Sequence, residues 1–225
     1  MAEARGSGEV TVRSFTGGGF AENTYLVACA RTGAGILVDP GAATEDALAA
    51  ARAAGITIEK IVLTHAHVDH VEGIPLARRE LPDVPILLHP ADRPVYGAAP
   101  LQAQMFGVRM EPLPPVDGEL VAGERVRFGE CALAIRFAPG HAPGHVILVG
   151  DGVALVGDVI FAGSIGRTDL PGGDFGTLMR SIRAQVLTLP DETTLHTGHG
   201  PDTTVGRERT TNPFVTGVYG GGGFA

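Results

Sequence analysis

The sequence predicts an α/β (α+β) fold in which sheets pack on each other and carry helices outside. Two observations lead there. Short, continuously apolar runs of strand length recur along the chain and fall into two groups. Helical patterns lie between and beyond those groups. At 225 residues the chain can bury a sizeable core without crosslinks, and no repeat or Ser/Gly linker divides it, so a single domain is expected.

The first group of runs covers residues 24–28, 35–38, 60–63 and 84–88. The second covers 125–128, 131–137, 145–149, 153–156 and 193–195. Gly129-Glu130 reads as a turn between two of them, and Asp151-Gly152 as a hairpin turn between two more. A helix is expected over 44–54, where alanines follow Glu45 and Asp46 and Gly55 closes the run. A second is expected from Asp69 through Leu81. A third covers 175–187, capped by Asp174, with Leu178, Ile182 and Val186 four apart. Residues 90–117 are proline-rich and weakly patterned, either a surface excursion or a loop lining a pocket. Residues 1–10 read as a short polar segment, 11–216 as the domain, and 217–225 as a Gly-rich, disordered tail.

Charge narrows the function. The net charge is −8 and no basic run occurs, which argues against nucleic-acid or anionic-membrane partners. No apolar run approaches the ~18 residues of a membrane helix, and the polar start is unlike a secretory leader. The expected compartment is the cytoplasm. Cys29 and Cys131 are accordingly read as buried thiols rather than a disulfide.

The chemistry gathers at strand ends. His65, His67, Asp69 and His70 follow directly after the run 60–63. His141 and His145 stand in Pro139-Gly140-His141-Ala142-Pro143-Gly144-His145, Asp158 ends the run 153–156, and His196 and His199 follow 193–195. Loops beyond strand ends can converge on one spot. In extended backbone His65 and His67 point to one side and can grip one ion. A helix starting next would turn Asp69 and His70 toward a second ion. Asp158 fits a bridge, and His141 and His199 complete the two sets. Burying so many polar groups without compensation costs several kcal/mol, and metal is the economical compensation. The N/O donors suit zinc first, with iron or manganese as alternatives. His89 reads as a satisfied core residue, and His145 and His196 as supports. Asp39 reads chiefly as the turn-former of Asp39-Pro40-Gly41, its other reading being to orient a ligand histidine.

The motif His65-Ala66-His67-Val68-Asp69-His70 resembles the HxHxDH signature of the metallo-β-lactamase superfamily. Asn23-Thr24-Tyr25-Leu26-Val27, Val38-Asp39-Pro40-Gly41 and His199-Gly200-Pro201 extend the likeness over nearly the whole chain. The resemblance implies an αββα sandwich with a two-metal site at one edge. His65, His67 and His141 would hold one metal, Asp69, His70 and His199 the other, and Asp158 would bridge. Gly157-Asp158-Val159-Ile160-Phe161, Gly166-Arg167-Thr168-Asp169 and Asn212-Pro213-Phe214 look like short glyoxalase II-like hydrolases. The Gly-Arg-Thr-Asp stretch is also shared with persulfide dioxygenases. Only 26 residues follow His199, so the helical domain that helps full-length glyoxalase II bind glutathione is expected to be missing.

The expected function is therefore a dinuclear metal-dependent thioester hydrolase of the glyoxalase II type, acting through a metal-bound hydroxide. Its partner would be a small-molecule thioester such as S-lactoylglutathione. Asp69 is the expected catalytic proton acceptor. Arg167 is the candidate for an anionic substrate group, or else an ion-pair partner of Asp169 or Asp174. The alternatives are a lactonase, phosphodiesterase or other esterase on the same site, a mononuclear-iron persulfide dioxygenase, and a non-catalytic metal-binding module.

Overall fold

The three runs 24–28, 35–38 and 60–63 lie side by side in one sheet, and their side chains alternate between two different cores. The computed structural model describes residues 9–219. The first sheet has six strands in sequence order: β1 (Val10–Gly17), β2 (Glu22–Cys29), β3 (Ala34–Val38), β4 (Thr57–Val62), β5 (Ile86–Leu88) and β6 (Gly118–Glu119). β1 to β3 pair antiparallel and β3 to β6 parallel. The second sheet starts with β7 (Arg125–Phe128), β8 (Cys131–Phe137), β9 (Val146–Gly150) and β10 (Val153–Gly157). A small hairpin, β11 (Ile160–Phe161) and β12 (Ser164–Ile165), stands apart, and β13 (Thr194–Thr197) and β14 (Thr203–Thr204) complete the sheet in the order β14-β13-β10-β9-β8-β7.

Tyr25, Val27, Ile36 and Val38 face Phe128, Leu133, Val146 and Leu148 between the sheets. Leu26, Leu37 and Ile61 face the other way, onto α1 (Thr44–Ala54) and α3 (Ile74–Glu80). On the far side Ile147, Ala154 and Val156 pack on Leu178 and Ile182 of the helical segment that begins with α5 (Phe175–Ser181), and on Val205 of α6 (Val205–Thr211). Three apolar cores thus separate four layers, helices–sheet–sheet–helices, the αββα sandwich expected from the motifs. Period-2 alternation with both faces apolar is what sends one strand into two cores.

Both turns form: Phe128 pairs with Cys131, and Gly150 with Val153. Asp151 and Gly152 both take positive φ, the mirror-image turn that matches strand twist. The helix over 44–54 ends on left-handed Gly55.

Two expectations need correction. The helix from Asp69 to Leu81 is broken into α2 (Val68–Val71) and α3. The break is at Gly73, whose N–H donates to Pro40 O at 2.9 Å and whose missing Cβ leaves room for Gly41 and Thr44. Residues 90–117 are no loop throughout: a 3₁₀ turn Pro90–Asp92 leads into α4 (Arg93–Phe106), with Pro100 inside it. Tyr96, Ala99 and Ala103 bury one face of α4. The segment 175–187 is helical as expected, but α5 gives way to a π-turn over Ile182–Val186. Residues 220–225 of the Gly-rich tail lie outside the described residues.

Candidate metal centre

The ends of β4, β10 and β13 and the loop after β8 meet at one edge of the sandwich. His65 and His67 leave the end of β4 in extended backbone, and α2 begins directly after His67, carrying Asp69 and His70 around the corner. His141 arrives from the loop after β8, Asp158 from the end of β10, and His199 from the end of β13. All seven sequence-predicted residues are brought together.

His67 Nδ1 and His65 Nε2 converge on His141 Nε2 at 2.8 and 3.2 Å. His199 Nε2 lies 3.2 Å and His70 Nε2 3.9 Å from Asp69 Oδ2. These form two N/O clusters, each compact enough to surround a cation. Asp158 stands between them. Its Oδ1 lies 3.3 Å from His70 Nε2, and its Oδ2 lies 3.4 Å from both His141 Nε2 and His199 Nε2.

The outer nitrogens fix what the inner ones present. His141 Nδ1 faces the Arg167 carbonyl at 2.8 Å and His199 Nδ1 the Phe20 carbonyl at 3.0 Å. A carbonyl only accepts, so both rings carry a hydrogen on Nδ1 and turn Nε2 inward. His70 Nδ1 faces Asp39 Oδ2 at 3.2 Å. Thr64 donates its hydroxyl to the same carboxylate at 2.6 Å, so its oxygen is left to accept from His65 Nδ1 at 3.1 Å. Asp39 therefore orients the centre: of its two readings, the less favoured one, orienting a ligand histidine, is what the structure shows. It holds φ +48° to do so, a conformation non-glycine residues seldom adopt.

These residues fit metal. His65 Nε2 and His141 Nε2 turn lone pairs to the point where His67 Nδ1 also lies, and His67 Nε2 is buried without a hydrogen-bond partner. His70 Nε2 and Asp158 Oδ1 are buried without a hydrogen-bond partner. Burial drives His67 down to about 3 and His65 well below the imidazole range, so both rings are neutral. Burial would raise Asp158, but the His70, His199 and His141 rings outweigh it and hold the carboxyl well below its usual range. Burial would also depress His199, yet Asp158 and Asp69 draw it up to about 10, so this half of the centre attracts positive charge. Gly198 keeps the space open, because a Cβ there would run into Asp158 Oδ1 and His70.

A cavity of about 290 Å³ opens over the two clusters. Arg167 lines it, its guanidinium forked onto Asp169 at 2.7 and 2.7 Å. The supports behave as read: His145 stacks on His65 at 4.6 Å and accepts the Asp158 N–H, and His196 pairs with Asp202 at 2.9 Å. His89 is not in a core; it is half-buried, stacked on Phe137 at 4.6 Å, and accepts the Ala91 N–H. The sequence does not single out Asp92, Glu22, Gln102 or Phe20, whereas Phe106 lies in the segment 90–117 for which lining a pocket was one of two readings. Glu22 is buried 3.8 Å from His70 with one oxygen unpartnered. Its position directly before Asn23-Thr24, at the head of an apolar run, was the only signal available for it.

Residues 17–199 match the metallo-beta-lactamase superfamily. The chain is 36% identical over 188 residues to hydroxyacylglutathione hydrolase GloC of Haemophilus influenzae, covering 80% of this chain and 86% of that protein. It is 36% identical over 186 residues to the probable metallo-hydrolase YqgX of Bacillus subtilis, covering 81% and 87%. The crystal structure of TTHA1623 in a di-iron-bound form superposes with a TM-score of 0.82 at 41% identity, covering 90% of this chain and all of that one. The fold, the clustered donors and these matches agree: the chain belongs to the metallo-beta-lactamase superfamily.

Proposed function

We propose that this protein is a dinuclear metal-dependent hydrolase of the glyoxalase II type, cleaving a thioester such as S-lactoylglutathione. The observation that carries the reading is Asp158, whose two oxygens face the two donor clusters from between them. His65, His67 and His141 would hold one divalent cation, Asp69, His70 and His199 the other, and Asp158 would bridge. When bound, such a pair makes water acidic near neutral pH and offsets the negative charge that develops on a carbonyl oxygen under attack.

The chain's own residues supply the rest. Asp69 lines the cavity and is the carboxylate placed to take a proton from the attacking water. The rings are held by Asp39, Thr64 and two carbonyls, so the donors need no rearrangement during the reaction. Among the described residues no lysine, tyrosine or cysteine lines the cavity to protonate a poor leaving group. That favours a thioester over an amide, because a thiolate leaves without such help. In the balanced reaction, water oxygen bonds to the acyl carbon and the C–S bond breaks. A carboxylic acid and a thiol are released. Arg167 is the residue for an anionic substrate group, provided that group displaces Asp169. The pair is exposed to solvent, which screens it, so displacement costs little.

The test is loss of the S-lactoylglutathione thioester in the presence of metal-loaded protein. Turnover of about 1–10³ s⁻¹, the ordinary enzymatic range, is expected. No turnover with two metals bound discards this substrate.

A further inference from the structure

The cavity over the centre has walls whose chemistry the hydrolase reading does not use. Phe20 and Phe106 meet edge to face at 5.6 Å on one side. Phe161 stands edge-on to His199 at 5.8 Å, and Ile165 and Leu170 also line the cavity. The floor holds the Asp69 and Asp158 carboxylates. Apart from histidines, Arg167 is the one cationic lining residue among the described residues, and Asp169 already takes both ends of its fork. Gln102 is engaged as well, its Oε1 accepting the Val68 N–H at 3.1 Å. That bond ties α4 to the turn carrying Asp69 and His70, so Phe106 is set at a fixed height over the centre. Leu101 and Met105 extend apolar surface along the outside of the same helix, 61% and 74% exposed.

Resting on that hydrolase reading, we propose that the slot between Phe20, Phe106 and Phe161 seats an uncharged, apolar arm of the substrate, an aryl or extended alkyl group. Aromatic walls gain by covering such an arm. The three rings of the slot offer neither a hydrogen bond nor an opposite charge to an anionic arm. The slot is thereby a specificity element: it selects among thioesters by the arm they carry, whatever the rest of the molecule.

The experiment uses metal-loaded protein and thioesters of one neutral thiol, 2-mercaptoethanol, with acetyl, butanoyl, succinyl and phenylacetyl groups. We expect kcat/KM to rise from acetyl to butanoyl to phenylacetyl by about tenfold or more overall, the scale on which apolar pockets discriminate. Phe106→Ala should narrow the range to about twofold, and Phe106→Met should retain most of it. Melting curves of both variants verify folding. Equal rates across the series overturn the proposal and leave the hydrolase reading standing. So does a preference for succinyl over butanoyl that disappears in Arg167→Gln, because the cavity would then read a carboxylate. If no thioester is cleaved, calorimetric binding of the matching ketones, with CH₂ in place of sulfur, decides. Tighter binding of the phenyl ketone than the methyl ketone supports the slot while the hydrolase reading falls. Equal binding overturns both.

Discussion

Asp92 Oδ1 accepts the Gly144 backbone N–H at 2.6 Å, and its other oxygen accepts that of Ala66 at 2.7 Å. One fully buried carboxylate thus clamps the loop bearing His65 and His67 to the loop bearing His141. It stands directly before α4, the helix that also reaches α2 through Gln102. Asp92→Ala strands two buried N–H groups, each at about 1–3 kcal/mol. For the two together, at about 2–4 °C per kcal/mol in a domain of this size, that is a fall in Tm of roughly 4–24 °C. Weaker metal retention should accompany it, because both loops lose their common anchor. Thermal melts and elemental analysis of the variant check this; an unchanged Tm with full metal would show that the clamp is idle.

The same residue gives a pH dependence with a definite sign. Burial pushes the Asp92 carboxyl up to about 6, and the Gly144 and Ala66 N–H groups offset only part of that. The unfolded chain therefore ionises first as pH rises from about 4 to 6, and folding loses stability from this group across that window. Asp92→Asn cannot ionise. The wild type should lose stability relative to it by roughly 2 kcal/mol between pH 4.5 and 7, with little further change above. Comparing the two proteins by urea melts cancels the contribution of the histidines. A difference that grows in the opposite direction would show the charged form is favoured.

Asp92 also marks the boundary of what is legible in the sequence. The strand 131–137 and the helix 44–54 coincide with their patterns, because periodicity and end signals are local properties of the chain. The seven donors could be paired because they sit at strand ends, where a sheet brings distant loops together. Asp92 shows none of this: its partners are 26 and 52 residues away, and Pro-Ala-Asp alone reads as a turn. The helix α4 was hidden by Pro94, Gly97 and Pro100, low-propensity residues that docking against α2 overrides. Asp39 was undervalued for the same reason as Asp92, since its bond to His70 spans 31 residues. Phe20 and Phe106 could not be matched across the cavity before α4 was known to exist.

The purified protein should carry close to two divalent transition metals per chain. Removing them by chelation leaves His70 Nε2 and Asp158 Oδ1 buried and unpartnered, so Tm should fall and activity should vanish. Gly198→Ala tests the same centre from the protein side. Its Cβ would crowd Asp158 Oδ1 and His70, and metal content should drop. A chelated sample with full activity would remove metal from the chemistry altogether.

Asp69→Ala separates classes of chemistry at one position. Asp69 sits at the cavity surface rather than in an apolar core, so the fold should survive. A hydrolase relying on it for metal and proton should lose about 10²–10⁴ in kcat. An iron oxygenase using His65, His141 and Asp158 alone would lose less. Steady-state rates on the best thioester, with a melting curve for the variant, decide between them.

Cys29 and Cys131 lie on opposite sheets and are free, buried thiols with sulfurs within 4.8 Å of each other. Their acidities are set apart. Burial would raise Cys29, but hydrogen bonds from Cys131, Thr32 and the Arg31 and Thr32 backbone lower it. Burial and the neighbouring Cys29 push Cys131 up to about 12. Thiolate is the reactive form, so the order of modification follows. In the native protein iodoacetamide should label slowly, with Cys29 ahead of Cys131, and both should react at once on unfolding. Peptide mapping after timed quenching reads that order. Faster labelling of Cys131 would mean that the Thr32 turn does not hold Cys29 as described, and that the edge of the sandwich opens at β8 instead.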